Sequence, residues 1–502
     1  MKHTKRKIDF STTVIPLAII LLLCIFFVLF PERSTFVIGK IRFFFGDTLG
    51  LYYLIVGLGI LLVSFYIAFS SIGKIKLGGK DEKPKYNFFA WGAMIFTCGL
   101  AADILFYSFC EWIYYANETR LEELGSLQEW GQTLALFHWG PIPWSFYAVL
   151  AACFGFMLHV RGVHKQKYSE SCRALLGNKI DSFPGKLIDV LAVIALIAGT
   201  ATTFSVATPL LSSAITSLAG IPSSKYLTIA ILVVICTVYT IAVLTGMKGV
   251  SYLANLCMYF FAALLLYVLI FGGKFFYILE TGFSSLGTML QNFITLSTYT
   301  DPLRKTNFPQ NWTIFFWAYW LVWCVASPFF MGSISQGRTI RQVVIGSYLF
   351  GMSATLVSFV ILGNYGMGIH VSGTFNALEF FTKTGNLYET VIAIIQTLPF
   401  YKVVLVLLII SMISFYATSF DSITLVASAY SYKELGKGEE ASAQTKLFWA
   451  ILLMLLPIAL IFNESSMNNL QSVSIIAAFP VGIVIILIIA SFIKDAHSYL
   501  KE

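Results

Sequence analysis

Charge is what this sequence has least of. Only 12% of its 502 residues are Asp, Glu, Lys or Arg, about half the roughly 25% of an ordinary soluble domain. A chain with 58% hydrophobic residues and a mean hydropathy of +0.80 cannot cover itself with water-facing side chains, which excludes a soluble protein. Histidine is scarce as well: six residues, scattered. Neither a metal-binding spacing nor a nucleophile with its base is present, so the machinery of a membrane-embedded enzyme is missing and no catalytic, metal or resident cofactor site is expected. A repeated filter motif, which a channel would carry, is absent too. The eight cysteines (24, 98, 110, 153, 172, 236, 257, 324) have no CxxC spacing and fall mostly inside apolar runs, where they read as small buried side chains. The basic start, MKHTKRKIDF, precedes an apolar run with no small-residue cleavage site, so it reads as an uncleaved first span. The net charge of +8 does not imply nucleic acid, because the basic residues lie in short loops. After the last apolar run only Lys494 to Glu502 remain, so a long basic regulatory tail is not expected.

Long apolar runs are what the chain has. Twelve of them, bounded by polar loops, read as membrane spans of an all-α polytopic protein: 12–31, 49–70, 88–115, 131–160, 183–218, 225–246, 248–273, 311–333, 339–363, 401–432, 446–463 and 470–494. Segments 1–7, 71–85, 161–178 and 433–446 are rich in Lys and Arg, whereas 116–130 carries four glutamates and one arginine. This alternation puts both termini in the cytoplasm of a multi-pass cell-membrane protein. Three longer loops, 166–180, 276–300 and 372–398, have apolar residues in helical rhythm and are expected to lie along the membrane surface.

The third and eighth spans stand out. The third contains Gly99, Ala101, Ala102 and then Asp103. A mid-span carboxylate costs about 2.5–3.5 kcal/mol on insertion scales unless it meets a partner or a wet cavity. The eighth places Trp312, Trp317, Tyr319, Trp320 and Trp323 within twelve residues. Lipid has no need of indole there. A π face attracts a cation, above all a quaternary ammonium that water solvates weakly, and the steps of three from Trp317 to Trp323 predict one broad aromatic face. An interfacial aromatic belt is the alternative, but a belt clusters at span ends and this one reaches mid-depth. The fourth span adds Trp139, Trp144 and Tyr147 around Pro141 and Pro143, whose missing donors bend the helix so that the rings converge. His138 reads as a packing group. Irregular helices at corresponding places in 88–273 and 311–494 hint at an inverted repeat with a midplane site.

Asn311 to Trp320, NWTIFFWAYW, resembles the signature of the betaine/choline/carnitine transporter family, with Tyr319 where the family usually has Trp. Ile334 to Arg341, ISQGRTIR, resembles the loop that follows it. The resemblance implies two inverted five-helix repeats, spans 3–7 and 8–12, preceded by two extra spans. The chain would then divide into 1–87 (tail and two peripheral spans), 88–275 (first repeat), 276–310 (surface helix and external loop), 311–494 (second repeat) and 495–502 (tail). The usual assembly is a homotrimer in the lipid bilayer. The expected cargo is a small quaternary ammonium compound moved by alternating access. Trp139, Trp144 and Tyr147 match the family's aromatic box, closed by Trp320, and Trp323, Tyr319, Asp103 and Tyr114 complete the candidate substrate set. Asp103 stands where choline-transporting members tend to carry an acid and betaine-transporting ones a glycine. Thr418 and Ser419 match the Thr-Ser pair of sodium-coupled members, so Phe415, Thr418, Ser419 and Leu100 form the candidate ion set, with protons through Asp103 as the other source of drive. Sodium-independent exchangers put Arg and Met where this chain has Cys257 and Ser327, although EWIYY (111–115) and YTDP (299–302) look closer to those exchangers.

Overall fold

A computed structural model describes residues 7–99, 101–163, 165–245, 248–433, 435, 439–462 and 467–502. Helices occupy all twelve stretches expected to span: Phe10–Leu29, Gly50–Phe69, a broken third element (Phe88–Gly99 and Ala102–Ala116), the fourth (Leu127–His138 and Pro141–His159), Phe183–Ala219, Lys225–Thr245, Lys248–Phe271, the eighth (Ile314–Trp323 and Ser327–Ser333), a ninth from Ile340 to Val371, Tyr401–Tyr430, Ala443–Phe462 and Met467–Tyr499. Among the described residues, seven helices are long and apolar enough to cross a bilayer, and ten if each of three bent pairs is one span. The helices at the sixth and tenth positions carry shorter apolar runs, Lys225–Ile241 and Tyr401–Ala417. No strand is present among the described residues, only two isolated bridges.

Burial sorts the spans. The first buries 22% of its most apolar window and the second 50%, against 94% for the fourth and 89% for the fifth. The fourth and fifth therefore form the interior, and the first spends most of its apolar surface on lipid. The fifth, 37 residues long, packs on the eighth, tenth, eleventh and twelfth, while the second packs on the fourth. Small residues permit the closest approach: a Cβ on Gly332 of the eighth span would lie 2.7 Å from the Gly155 nitrogen of the fourth.

Two of the three breaks fall where the sequence looked irregular. The halves of the third span meet at 68°, with Ala101 extended (φ −119°, ψ 166°), and those of the eighth at 49°. The third break, of 111°, turns the chain from the seventh span into Phe275–Thr298, the expected surface helix. The loop after the eighth span is tied to the one before the third: Leu77 N–H donates to the Arg338 carbonyl at 2.8 Å and Gly337 N–H to the Leu77 carbonyl at 2.7 Å. Gly337 has φ +81°, and a Cβ there would stand 2.4 Å from the Lys83 carbonyl, so only glycine fits. At the far end of the fourth span, Arg161 bonds Asp495 at 2.8 Å and Glu502 at 3.0 Å. That contact holds the Glu502 carboxyl below its ordinary value.

Candidate substrate site

The rings of the fourth and eighth spans meet, and Trp320 is their centre. Its ring centroid lies 4.9 Å from Tyr147, 5.3 Å from Trp144 and 5.8 Å from Trp139, at interplanar angles of 61°, 61° and 71°. Trp144 and Tyr147 are 5.6 Å apart. Separations and angles of this kind are edge-to-face contacts, so the four rings form one packed aromatic cluster. The local sequence explains the placement. Gly140 breaks the helix after Trp139 and Pro141 restarts it, where a missing N–H costs nothing. Trp144 and Tyr147, three apart, then share one face.

The expected single aromatic face on the eighth span divides three ways. Trp320 faces the fourth span. Trp317 packs against Phe137 at 6.0 Å and over Gly57 of the second span, whose Cβ would stand 2.6 Å from the indole. Trp323 lies on Gly199 of the fifth span and donates from Nε1 to Thr203 Oγ1 at 3.1 Å. Tyr114 stands against Trp312 at 4.9 Å, and Trp312 Nε1 donates to Glu118 Oε1 at 2.6 Å. Both therefore belong to a layer where the third span ends and the eighth begins, apart from the rings around Trp320.

Asp103 begins the second half of the third span, where the positive end of the helix dipole favours an anion. It is 2% exposed. Tyr319 Oη donates to its Oδ2 at 2.5 Å, and Tyr319 also bonds Thr203. Oδ1 is buried without a partner among the described residues, as are Nε1 of Trp144 and Nε1 of Trp320. One turn on, Tyr107 places its ring 5.5 Å from Trp139, which ties the carboxylate's helix to the box.

A second buried network escaped the sequence reading. Trp139 Nε1 donates to Glu111 Oε2 at 2.6 Å, and Tyr115 Oη donates to Glu111 Oε1. Tyr115 Oη also lies 2.6 Å from His138 Nδ1, and His138 Nε2 lies 2.9 Å from Thr313 Oγ1. Glu111 and His138 are 1% and 0% exposed. Their signals were present, Glu111 and Tyr115 at i, i+4 and a histidine directly before Trp139, but the partners come from three separate spans. Glu111→Ala is expected to lower the unfolding free energy by about 2–5 kcal/mol, because at least two buried donors lose their acceptor. Thermal unfolding in detergent measures it.

Of the candidate ion set, Phe415 is buried and its ring packs 5.2 Å from Phe261, while Ser419 is half-buried. Leu100 and the side chain of Thr418 lie outside the described residues. Cys257 and Ser327 are both buried, and neither carries a charge that could replace an ion.

The comparisons with known proteins bear on this arrangement. The family model described as "BCCT, betaine/carnitine/choline family transporter" matches residues 11–501. The glycine betaine transporter OpuD of Bacillus subtilis is 30% identical over 483 residues, 95% of this chain and 92% of its own. A carnitine transporter of Acinetobacter baumannii is 27% identical over 85% of this chain and 78% of its own. A probable glycine betaine transporter of Desulfitobacterium hafniense is 29% identical over 96% of each. Relatives that are transporters agree with the absence of catalytic machinery in the sequence. With a match of this length joined to aromatic rings gathered deep inside a bundle of apolar helices, the chain is a membrane transporter of the betaine/carnitine/choline family.

Proposed function

We propose that this transporter carries a quaternary ammonium compound across the cell membrane by alternating access, with choline favoured over glycine betaine and carnitine. The observation that carries the reading is the buried Asp103 carboxylate, whose Oδ1 has no partner among the described residues, on a helix that also touches the ring cluster centred on Trp320 through Tyr107. The rings suit any trimethylammonium group, and relatives named for betaine and carnitine fit them equally well. The carboxylate separates the candidates. A net cation such as choline neutralises it, whereas a zwitterion brings a second negative charge into a low-dielectric site. Choline's hydroxyl is also donor and acceptor at once, so it complements both a carboxylate oxygen and indole N–H groups that have no partner among the described residues. Four contacts of about 0.5–2 kcal/mol each total about 2–8 kcal/mol, enough for about millimolar affinity at the upper end after ordering costs, with the carboxylate supplying the rest. The breaks in the third and eighth spans supply points at which helix halves can reorient. Both termini are cytoplasmic in this reading, and the assembly is a homotrimer.

Coupling to sodium at the Phe415 carbonyl, Thr418, Ser419 and Leu100 is the preferred drive, with protons through Asp103 second. The second reading, exchange of carnitine-like substrates without an ion, draws on the EWIYY and YTDP segments. Uptake of labelled choline, betaine and carnitine into proteoliposomes, with and without sodium, tests all of this. Saturation and counterflow are expected; uptake linear in concentration without counterflow means a channel. Thr418→Ala with Ser419→Ala should raise half-saturating sodium by about tenfold or more, the loss of two oxygen ligands. Wild-type uptake indifferent to sodium would remove that site and leave protons or exchange.

A further inference from the structure

We propose that the Tyr319 hydroxyl is the positioning group for Asp103, and that this pair, rather than the aromatic rings, sets the preference for a net cation over a zwitterion. The inference rests on the substrate site proposed above. Choline and glycine betaine present the same trimethylammonium group, so Trp139, Trp144, Tyr147 and Trp320 give them nearly equal attraction. Discrimination has to come from a group that responds to the rest of the molecule. Asp103 is such a group: Oδ2 accepts from Tyr319 at 2.5 Å, the backbone N–H groups of Asp103 and Ile104 also face the carboxylate, and Oδ1 is buried without a partner among the described residues.

The hydrogen bonds behind it run in one direction. An indole N–H is a donor only, and an ionised carboxylate is an acceptor only. Trp323 Nε1 donates to Thr203 Oγ1 at 3.1 Å, and Tyr319 Oη donates to Asp103. The remaining contact, between Thr203 and Tyr319, is therefore filled by the Thr203 proton pointing at the tyrosine oxygen. Trp323, Thr203, Tyr319 and Asp103 form a donor chain whose every step points at the carboxylate, and aligned donors in a dry interior strengthen one another. The chain starts on the eighth span, passes through the fifth, returns to the eighth and ends on the third. Tyr319 is next in sequence to Trp320, so the group that holds the carboxylate and the ring at the centre of the box move on one backbone. A tryptophan at 319 has no hydroxyl for Thr203 to donate to, and it could not complete this chain.

Tyr319→Phe removes the hydroxyl and keeps the ring. Proteoliposome uptake should show the choline KM raised about tenfold or more, the ordinary effect of losing a hydrogen bond to a charged group. Betaine KM should stay within about twofold, and the maximal rate for both should change little. Made on top of Asp103→Asn, the same substitution should add less than about twofold, because its effect acts through the carboxylate. Thr203→Val, which cuts the chain one step earlier and keeps both rings, should raise choline KM by a few fold with the same selectivity, and it decides the matter if Tyr319→Phe is not recovered folded. Equal losses for choline and betaine, an additive effect in the Asp103→Asn background, or an unchanged choline KM in Thr203→Val would each overturn the positioning role while leaving the substrate reading intact. If tetramethylammonium and choline leave the tryptophan fluorescence of the wild-type protein unchanged, the substrate reading itself fails and this inference with it.

Discussion

Trp320→Leu should lower affinity for trimethylammonium ligands by about 30-fold to 100-fold or more while leaving the protein folded. Trp320 is the ring that touches the other three, at 4.9, 5.3 and 5.8 Å. Leucine keeps part of the apolar volume and none of the π face, so the cation loses its strongest contact, roughly 2 kcal/mol in a desolvated site. The remaining rings lose the edge-to-face partner that orients them, which adds about 0.5–1.5 kcal/mol. Trp317→Leu is the matched control. It is the same substitution one turn earlier on the same helix, but its ring lies on Gly57 and Phe137. It should cost comparable stability and leave affinity nearly unchanged. Tryptophan fluorescence titration with choline and thermal unfolding separate the two effects. Equal affinity losses in the two variants would mean that the cluster is packing alone.

Asp103→Gly should cut choline affinity by about 100-fold and leave glycine betaine equal or improved. A unit-charge pair at 4–5 Å is worth about 3–4 kcal/mol at an effective dielectric constant near 20, more than any single ring supplies. Asp103 is 2% exposed, so little solvent screens it. A zwitterion gains when the carboxylate goes, because its own negative group no longer faces another. Competition uptake with both substrates in one preparation gives the ratio directly. A loss of the same size for both would leave Asp103 a structural carboxylate and return the choice of substrate to the rings. The Asp103→Asn variant keeps the side-chain volume and should reproduce the ratio, which separates charge from the added backbone freedom of glycine at a helix break.

How far the sequence could be read depended on how many segments each feature needs. A span is one segment, and apolar length over about twenty residues reports it, so helices stand at all twelve expected places. The breaks in the third and eighth spans were visible as small and polar residues such as Gly99 and Asp103. Pairing fourth-span rings with Trp320 needed two segments and leaned on the family signature. The aromatic stripe was misjudged for a geometric reason. A step of three advances about 300°, so Trp317, Trp320 and Trp323 drift about 120° around the helix. That drift seats Trp317 between the second and fourth spans, Trp320 on the fourth and Trp323 on the fifth. The Glu111, Tyr115, His138 and Thr313 network needed three segments, and each residue alone reads as ordinary packing. Tyr319 was noticed as a departure from the family pattern, but its bond to Asp103 pairs residues 216 apart in sequence.

The division of indoles on the eighth span has a mechanical consequence. Three wedges on one short rod, seated between the second and fourth spans, on the fourth and on the fifth, make the rod behave like a key in a lock with three pins. Turning it by a few tens of degrees cannot shift Trp320 alone against the rings of the fourth span. The same twist lifts Trp317 off Gly57 and drags Trp323 across Gly199, so a motion begun at Trp320 is transmitted at once to the half-buried second span and to the 37-residue fifth.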